Sequence, residues 1–129
     1  MTLQDVTAAT LTSALRGYEA RNQAIANNLA NAETPGYRRL TVSFEQTLAD
    51  AARAAHSTRP GTRADAASQV EDVLPATAAD PTGGMRVDGS NVDPDAEMAA
   101  LAQNQLAHQT VTSLLHKHFA QIRTAIIGR

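Results

Sequence analysis

Cysteine and tryptophan are absent from this 129-residue chain, and its aromatic residues are two phenylalanines and two tyrosines. Without cysteine there is no disulfide, no thiolate metal ligand and no cysteine nucleophile. The shortage of large side chains also limits the core, because each one buried supplies about 1.5–3 kcal/mol. Hydrophobic residues reach 43%, but much of that is alanine, which suits a thin helical seam better than a globular interior. Nor is there an excess of positive charge. The net charge of −2 gives nucleic acid no electrostatic footprint. No apolar run approaches the ~20 residues that span a bilayer as a helix. The opening residues Met1-Thr2-Leu3-Gln4-Asp5 lack the basic and apolar regions of a cleavable signal. Composition alone therefore points to the cytoplasm, or to export by a route that leaves no cleaved signal.

What is present is helical periodicity at both ends. Leu11, Leu15, Tyr18, Asn22, Ile25, Leu29 and Ala32 step alternately by four and three, the a/d pattern of a coiled-coil seam. The register continues backwards, more weakly, through Ala8 to Gln4. Gly17 costs about 1 kcal/mol against alanine in a helix and makes room for a close neighbour. Pro35 stops the helix, Pro35-Gly36 suits the centre of a type II turn, and Asn31 is a C-cap candidate that tolerates left-handed geometry. The second helix starts at Asp93 as N-cap, with Pro94 in the first helical position and Asp95 and Glu97 at the positive end of the dipole. Its stripe runs through Met98, Leu101, Gln105, His108 or Ala107, Thr112, Leu115, Phe119, Ile122 and Ile126, widened by Val111 and Leu114.

Between the helices, Leu40, Val42 and Phe44 alternate with polar residues as a short strand, and 45–55 reads as a brief alanine-rich helix. From His56 to Gly84 large apolar residues are few, so burial is not expected to offset the entropy of ordering. Met85-Arg86-Val87 reads as a second short strand before a turn at Asp88-Gly89. The expected fold is therefore dominated by α-helix. Two long terminal helices pair as an antiparallel coiled-coil hairpin, with a small strand and turn element and a flexible middle insert. The units run 1–33 (N-terminal helix), 34–55 (turn, strand and short helix), 56–84 (insert), 85–93 (strand and turn) and 94–129 (C-terminal helix). Laying the two seams together places Leu29 near Met98, Ile25 near Leu101, Asn22 near Gln105, Tyr18 near His108 and Leu11 near Leu115. In that register two amides meet as a polar layer that penalises slippage.

Chemistry-bearing patterns are weak. His116 and His118 are two apart, so on a helix they point to different faces and cannot readily share an ion. Asp88, Asp93, Asp95 and Glu97 lack calcium-loop spacing, and no GxSxG elbow accompanies the serines. Neither a catalytic site nor a metal or other cofactor is expected. Arg38-Arg39 reads as an exposed strand edge or a salt bridge between subunits.

The run Asn27-Asn28-Leu29-Ala30-Asn31-Ala32-Glu33-Thr34-Pro35-Gly36-Tyr37-Arg38 resembles the shared signature of the flagellar basal-body rod family. The run Asp88-Gly89-Ser90-Asn91-Val92-Asp93, then Glu97-Met98, and the ending Gln105-Leu106 to Ile126-Ile127-Gly128-Arg129 resemble its proximal-rod members. These stretches cover both termini and a little over half the chain. The resemblance implies a structural subunit exported unfolded by the flagellar type III route without a cleaved signal. Its terminal helices would pair within a hollow periplasmic drive shaft. The implied partners are further copies, other rod subunits, and a FliE-like adaptor, export gate and MS ring at the rod base. From a different class, a helical coiled-coil adaptor or flagellar export chaperone shares the periodicity; it would stay in the cytoplasm, whereas a rod subunit fractionates with basal bodies.

Overall fold

The computed structural model describes residues 5–57, 63–80, 87 and 89–128. Gln4, the expected start of the first seam, and most of the strand expected at 85–87 lie outside them. Helix α1 spans Val6–Ala30 and is capped by Asp5, whose carboxylate accepts from Thr7 N–H at 2.9 Å. Asn31 caps its other end as expected, though with φ −109° and not in left-handed geometry. It does so through hydrogen bonds, its N–H reaching the carbonyls of Asn27, Asn28 and Leu29 and its side chain donating to Asn27 O at 2.9 Å. In the following turn Tyr37 N–H donates to Thr34 O at 3.2 Å, and Gly36 takes φ +72°, the conformation that a type II turn requires at its third position.

Strand β1 (Leu40–Ser43) leads into α2 (Glu45–Ser57), then α3 (Arg63–Glu71), β2 (Ala76–Ala79) and the long α4 (Pro94–Ile127). The two strands pair antiparallel, Leu40 opposite Ala79 and Ser43 opposite Ala76. Asp93 caps α4 by accepting from the N–H groups of Asp95 and Ala96, and Gly128 ends it in the left-handed region at φ +73°. At 1.5 Å per residue α4 is about 50 Å long and α1 about 38 Å. They run antiparallel, Asn28 beside Glu97 at one end and Asp5 beside His118 at the other.

The core does not sit in the α1–α4 seam. It lies on the other side of α1, where Val6, Ala9 and Ala24 meet Val42, Phe44, Leu48, Ala55, Ala66, Ala67 and Val70. Gly17 is placed here for a steric reason, since a Cβ at this position would stand 2.4 Å from the Phe44 ring. That ring meets Tyr18 edge-on at 5.2 Å between centroids, and the Arg21 guanidinium lies 5.0 Å over it.

Part of the stretch 56–84 is more ordered than its composition suggests, because α3 and β2 fall within it. Ala67 and Val70 are completely buried. Small residues on α3 face small residues on α1, so the backbones approach closely without large side chains. Ser13 Oγ donates to Val70 O at 2.8 Å and Arg16 to Glu71 O at 3.0 Å, satisfying carbonyls that the end of α3 leaves open. A count of large hydrophobes misses this kind of packing.

The seam on α4 is turned by one residue from the expected stripe. Glu97, Asn104 and His118 face α1, as do Leu101, Leu115 and Ile122, which are half-buried. Met98 and Gln105 are exposed instead. Phe119 is exposed for the same reason, with His118 turned inward beside it, and Ile126 is exposed two turns further along the helix. On α1, Ile25 is buried while Leu11, Leu15, Tyr18, Asn22 and Leu29 are half-buried. Asn22 and Gln105 do border one cleft, together with Tyr18, Glu19, His108 and Gln109. The amide that bridges the helices, however, is that of Asn104, which donates to Tyr18 O at 2.9 Å. The polar seam residues mislead a pattern search that looks for apolar ones.

Candidate assembly surface

Two stretches far apart in sequence, 27–39 and 89–97, meet at one corner. Asn28 is completely buried, and its amide serves the first residue of β1 twice. Nδ2 donates to Leu40 O at 2.9 Å while Oδ1 accepts from Leu40 N–H at 2.8 Å. The side chain thus takes the place of a neighbouring strand. Tyr37 OH also donates to Asn28 Oδ1, at 3.4 Å. From the other helix, the fully buried Glu97 accepts from Asn28 Nδ2 at 3.0 Å and from Arg39 Nε. Arg39 also reaches Asp80 at 3.2 Å. Its hydrogen bond to Glu97, opposed by burial and aided by the charges of Glu97 and Asp80, holds the guanidinium pKa above its ordinary value.

Asn91 performs the matching task one residue earlier. Arg39 N–H donates to Asn91 Oδ1 at 2.6 Å, and Asn91 Nδ2 donates to Asp80 O at 2.9 Å. Asp80 N–H returns to Arg39 O at 2.7 Å. The amide is inserted into the strand ladder as a rung. Gly89, at φ +79°, brings its loop against Gly36, where a Cβ would come within 3.6 Å of the Gly36 backbone. Val92 is buried beside this network and Ser90 is fully enclosed.

Of the signature residues, Asn28, Asn31, Gly36 and Tyr37 therefore act in the corner, as do Asn91, Asp93 and Glu97. Leu29 is half-buried, while Asn27, Ala30, Thr34, Pro35 and Met98 face solvent. Arg39 finds its partners Glu97 and Asp80 within the chain and is part-buried, and Arg38 is the exposed member of the pair. Asp80 and Asn104 carry no signal of their own in the sequence.

At the other end the picture reverses. His118 Nε2 stands 2.6 Å from Asp5 Oδ2, a close polar contact in which the ring nitrogen is not aligned for a hydrogen bond. From there α4 continues for ten residues to Gly128. Half or more of the surface of Phe119, Ile126 and Ile127 is in solvent, and Leu106 and Met98 are equally open along the helix. His116 is exposed on another face from His118, and among the described residues no three His, Asp or Glu gather as metal ligands. No helix among the described residues is long and apolar enough to cross a membrane. The arrangement is a rigid corner joined to an uncovered apolar helix. It is suited to packing against other chains.

Comparison with known proteins agrees on the class. The family described as flagella basal body rod protein matches residues 9–38, which run from the buried face of α1 through the corner. The flagellar basal body rod protein FlgB of Bacillus subtilis (strain 168) is 30% identical over 128 residues, covering 99% of this chain and 98% of that protein. The FlgB of Borrelia hermsii is 34% identical over 114 residues (82% and 84%), and that of Cereibacter sphaeroides (strain ATCC 17029 / ATH 2.4.9) is 32% identical over 110 residues (85% of each). The chain belongs to the FlgB family of flagellar basal body rod proteins, and it is a structural subunit of that rod.

Proposed function

We propose that the subunit enters the rod by laying the open end of α4 against adjoining subunits, so that paired terminal helices build the wall of a hollow shaft. The observation that carries this reading is the apolar stripe Leu115, Phe119, Ile122 and Ile126, spaced 4-3-4, which runs past the end of the described part of α1. Such a stripe is stable in water only when another helix covers it. Contacts of this kind, between different surfaces of successive subunits, propagate without closing and so generate a tube. Within the rod we place this chain at the base, in contact with further copies, a FliE-like adaptor, the export gate and the MS ring. It would arrive in the periplasm unfolded, by flagellar export without a cleaved signal. The role is structural and requires no catalysis or cofactor.

The test is to replace Phe119 and Ile126 together by aspartate and fractionate basal bodies. Because both side chains are already largely solvated in the single chain, its helix content and thermal midpoint should stay as they were. Incorporation into the basal body should fall at least tenfold. Normal incorporation of the double variant would remove the basis of this reading.

A further inference from the structure

The α1–α4 seam holds a cleft of about 160 Å³, and Asn104 is the buried residue in its lining. Its Nδ2 donates to Tyr18 O at 2.9 Å. That bond fixes which way the amide faces, because a carbonyl cannot accept from Oδ1. Oδ1 is left enclosed, and among the described residues nothing donates to it. A buried acceptor without a donor is costly to keep. The space beside Asn104 is polar. Asn22 of α1 and Gln105 and Gln109 of α4 border it with side-chain amides, and Glu19 with a carboxylate. Among the described residues none of these four side chains is hydrogen-bonded or ion-paired within the chain. No lysine or arginine lines the cleft. It therefore offers negative charge and acceptors, and it lacks a cation.

We propose that this cleft receives the guanidinium of an arginine from an adjoining chain, which donates to Asn104 Oδ1 at the floor and pairs with Glu19 at the rim. A guanidinium spreads five N–H groups in one plane and is more weakly hydrated than an ammonium, so it serves several acceptors at once and enters an enclosed site at lower cost. A cavity of about 150 Å³ admits benzene, so the smaller planar head has room. Glu19 and His108 also border a shallower hollow with Leu15 and Ala20, where the methylene stem of the arginine can lie against apolar surface. Arg16 borders that hollow too, but its own guanidinium is turned to Glu71 O at 3.0 Å. That the adjoining chain is a rod subunit rests on the assembly reading above.

The probe is N-acetyl-arginine amide, added to the isotope-labelled full chain, with N-acetyl-lysine amide as the comparison. The arginine probe should shift the Asn104 side-chain NH₂ signals saturably at millimolar concentration, and the lysine probe should bind at least threefold more weakly. Glu19→Gln should weaken the arginine probe at least threefold and Asn104→Leu at least tenfold. Both variants should be depleted at least threefold from basal bodies. Asn104→Leu should nevertheless melt no lower than the wild type, because it removes a buried unpaired acceptor and Tyr18 O keeps its bond within α1. No saturable shift at Asn104, or equal binding of the two probes, overturns the proposal. Normal incorporation of both variants would overturn the adjoining chain as the source of the arginine. If Asn104→Leu does not fold, Glu19→Gln decides, since Glu19 is exposed. The probe measurement does not depend on assembly, so arginine binding that persists when the Phe119 and Ile126 test fails would separate this site from the helix reading.

Discussion

The two ends of the α1–α4 pair are built on opposite terms. At the corner, Asn28, Asn91, Glu97 and Arg39 give one another and the start of β1 hydrogen bonds, and nearly everything is dry. At the far end the polar contact between the helices among the described residues is that of Asp5 with His118, and α4 runs on with Phe119 and Ile126 exposed. A buried polar network is satisfied only by one arrangement, so it fixes geometry. Exposed apolar side chains specify no arrangement until another surface arrives. The corner therefore belongs to the fold of the single chain, and the open end belongs to the assembly.

That division breaks most directly at Glu97. Replacement by leucine removes the acceptor shared by Asn28 and Arg39; Arg39, part-exposed, keeps Asp80, but the buried Asn28 amide loses a partner. Leaving such a group short of a partner costs about 1–3 kcal/mol, a sizeable part of the stability of a domain this size. Urea unfolding should report a loss in that range, and Glu97→Gln a smaller one, because the amide can still accept. A loss under about 1 kcal/mol would mean that the corner does not fix the fold.

The middle of α1 sharpens the same contrast. Helix propensity alone says that Gly17→Ala should stabilise by about 1 kcal/mol. The Phe44 ring carbons, 2.4–2.5 Å from the new methyl, say the reverse. Overpacking costs about 1–3 kcal/mol, so a net destabilisation of roughly 1 kcal/mol is expected in thermal melts. A stabilised variant would show that the ring can move aside and that this face is less tightly packed than the corner.

The contrast also explains what the sequence made legible. Caps and turns were readable because their chemistry is local: Asp5 and Asp93 sit next to the N–H groups they serve, and Pro35-Gly36 carries its own conformation. The helix pairing was readable from period, but its phase was not. Apolar weight on Met98 and Phe119 drew the stripe toward them, whereas the structure turns Glu97, Asn104 and His118 inward, each with a partner supplied by α1. Polar residues at a seam can be told from surface ones only once those partners are located. Arg39 was misplaced for the same reason, since Glu97 lies 58 residues away. The packing of α3 was hidden because Ala66 and Ala67 carry little hydrophobic weight, and it is the closeness of the backbones that buries them.

The smallest expected effect lies at the open end and comes from titration. Burial raises the Asp5 pKa, but the Thr7 N–H and His118 together outweigh it and hold the carboxyl below its ordinary range. A depressed carboxylate stabilises the fold at neutral pH, and the contribution is lost as pH falls from about 4 through the folded-state value. About a third of the Asp5 side chain is in water, so screening keeps the contribution within the range of about 0–1 kcal/mol found for exposed pairs. Asp5→Asn keeps a capping side chain and removes the charge. The variant should be slightly less stable than the wild type at pH 7, and the gap should narrow as pH falls below about 4. Glu45, lowered against burial by backbone hydrogen bonding and Arg21, titrates in the same direction on the covered side of α1. It therefore contributes equally to both proteins and drops out of the difference. A gap that did not narrow with falling pH would assign the effect to lost capping, and the contact between Asp5 and His118 would then add nothing to the stability of the far end.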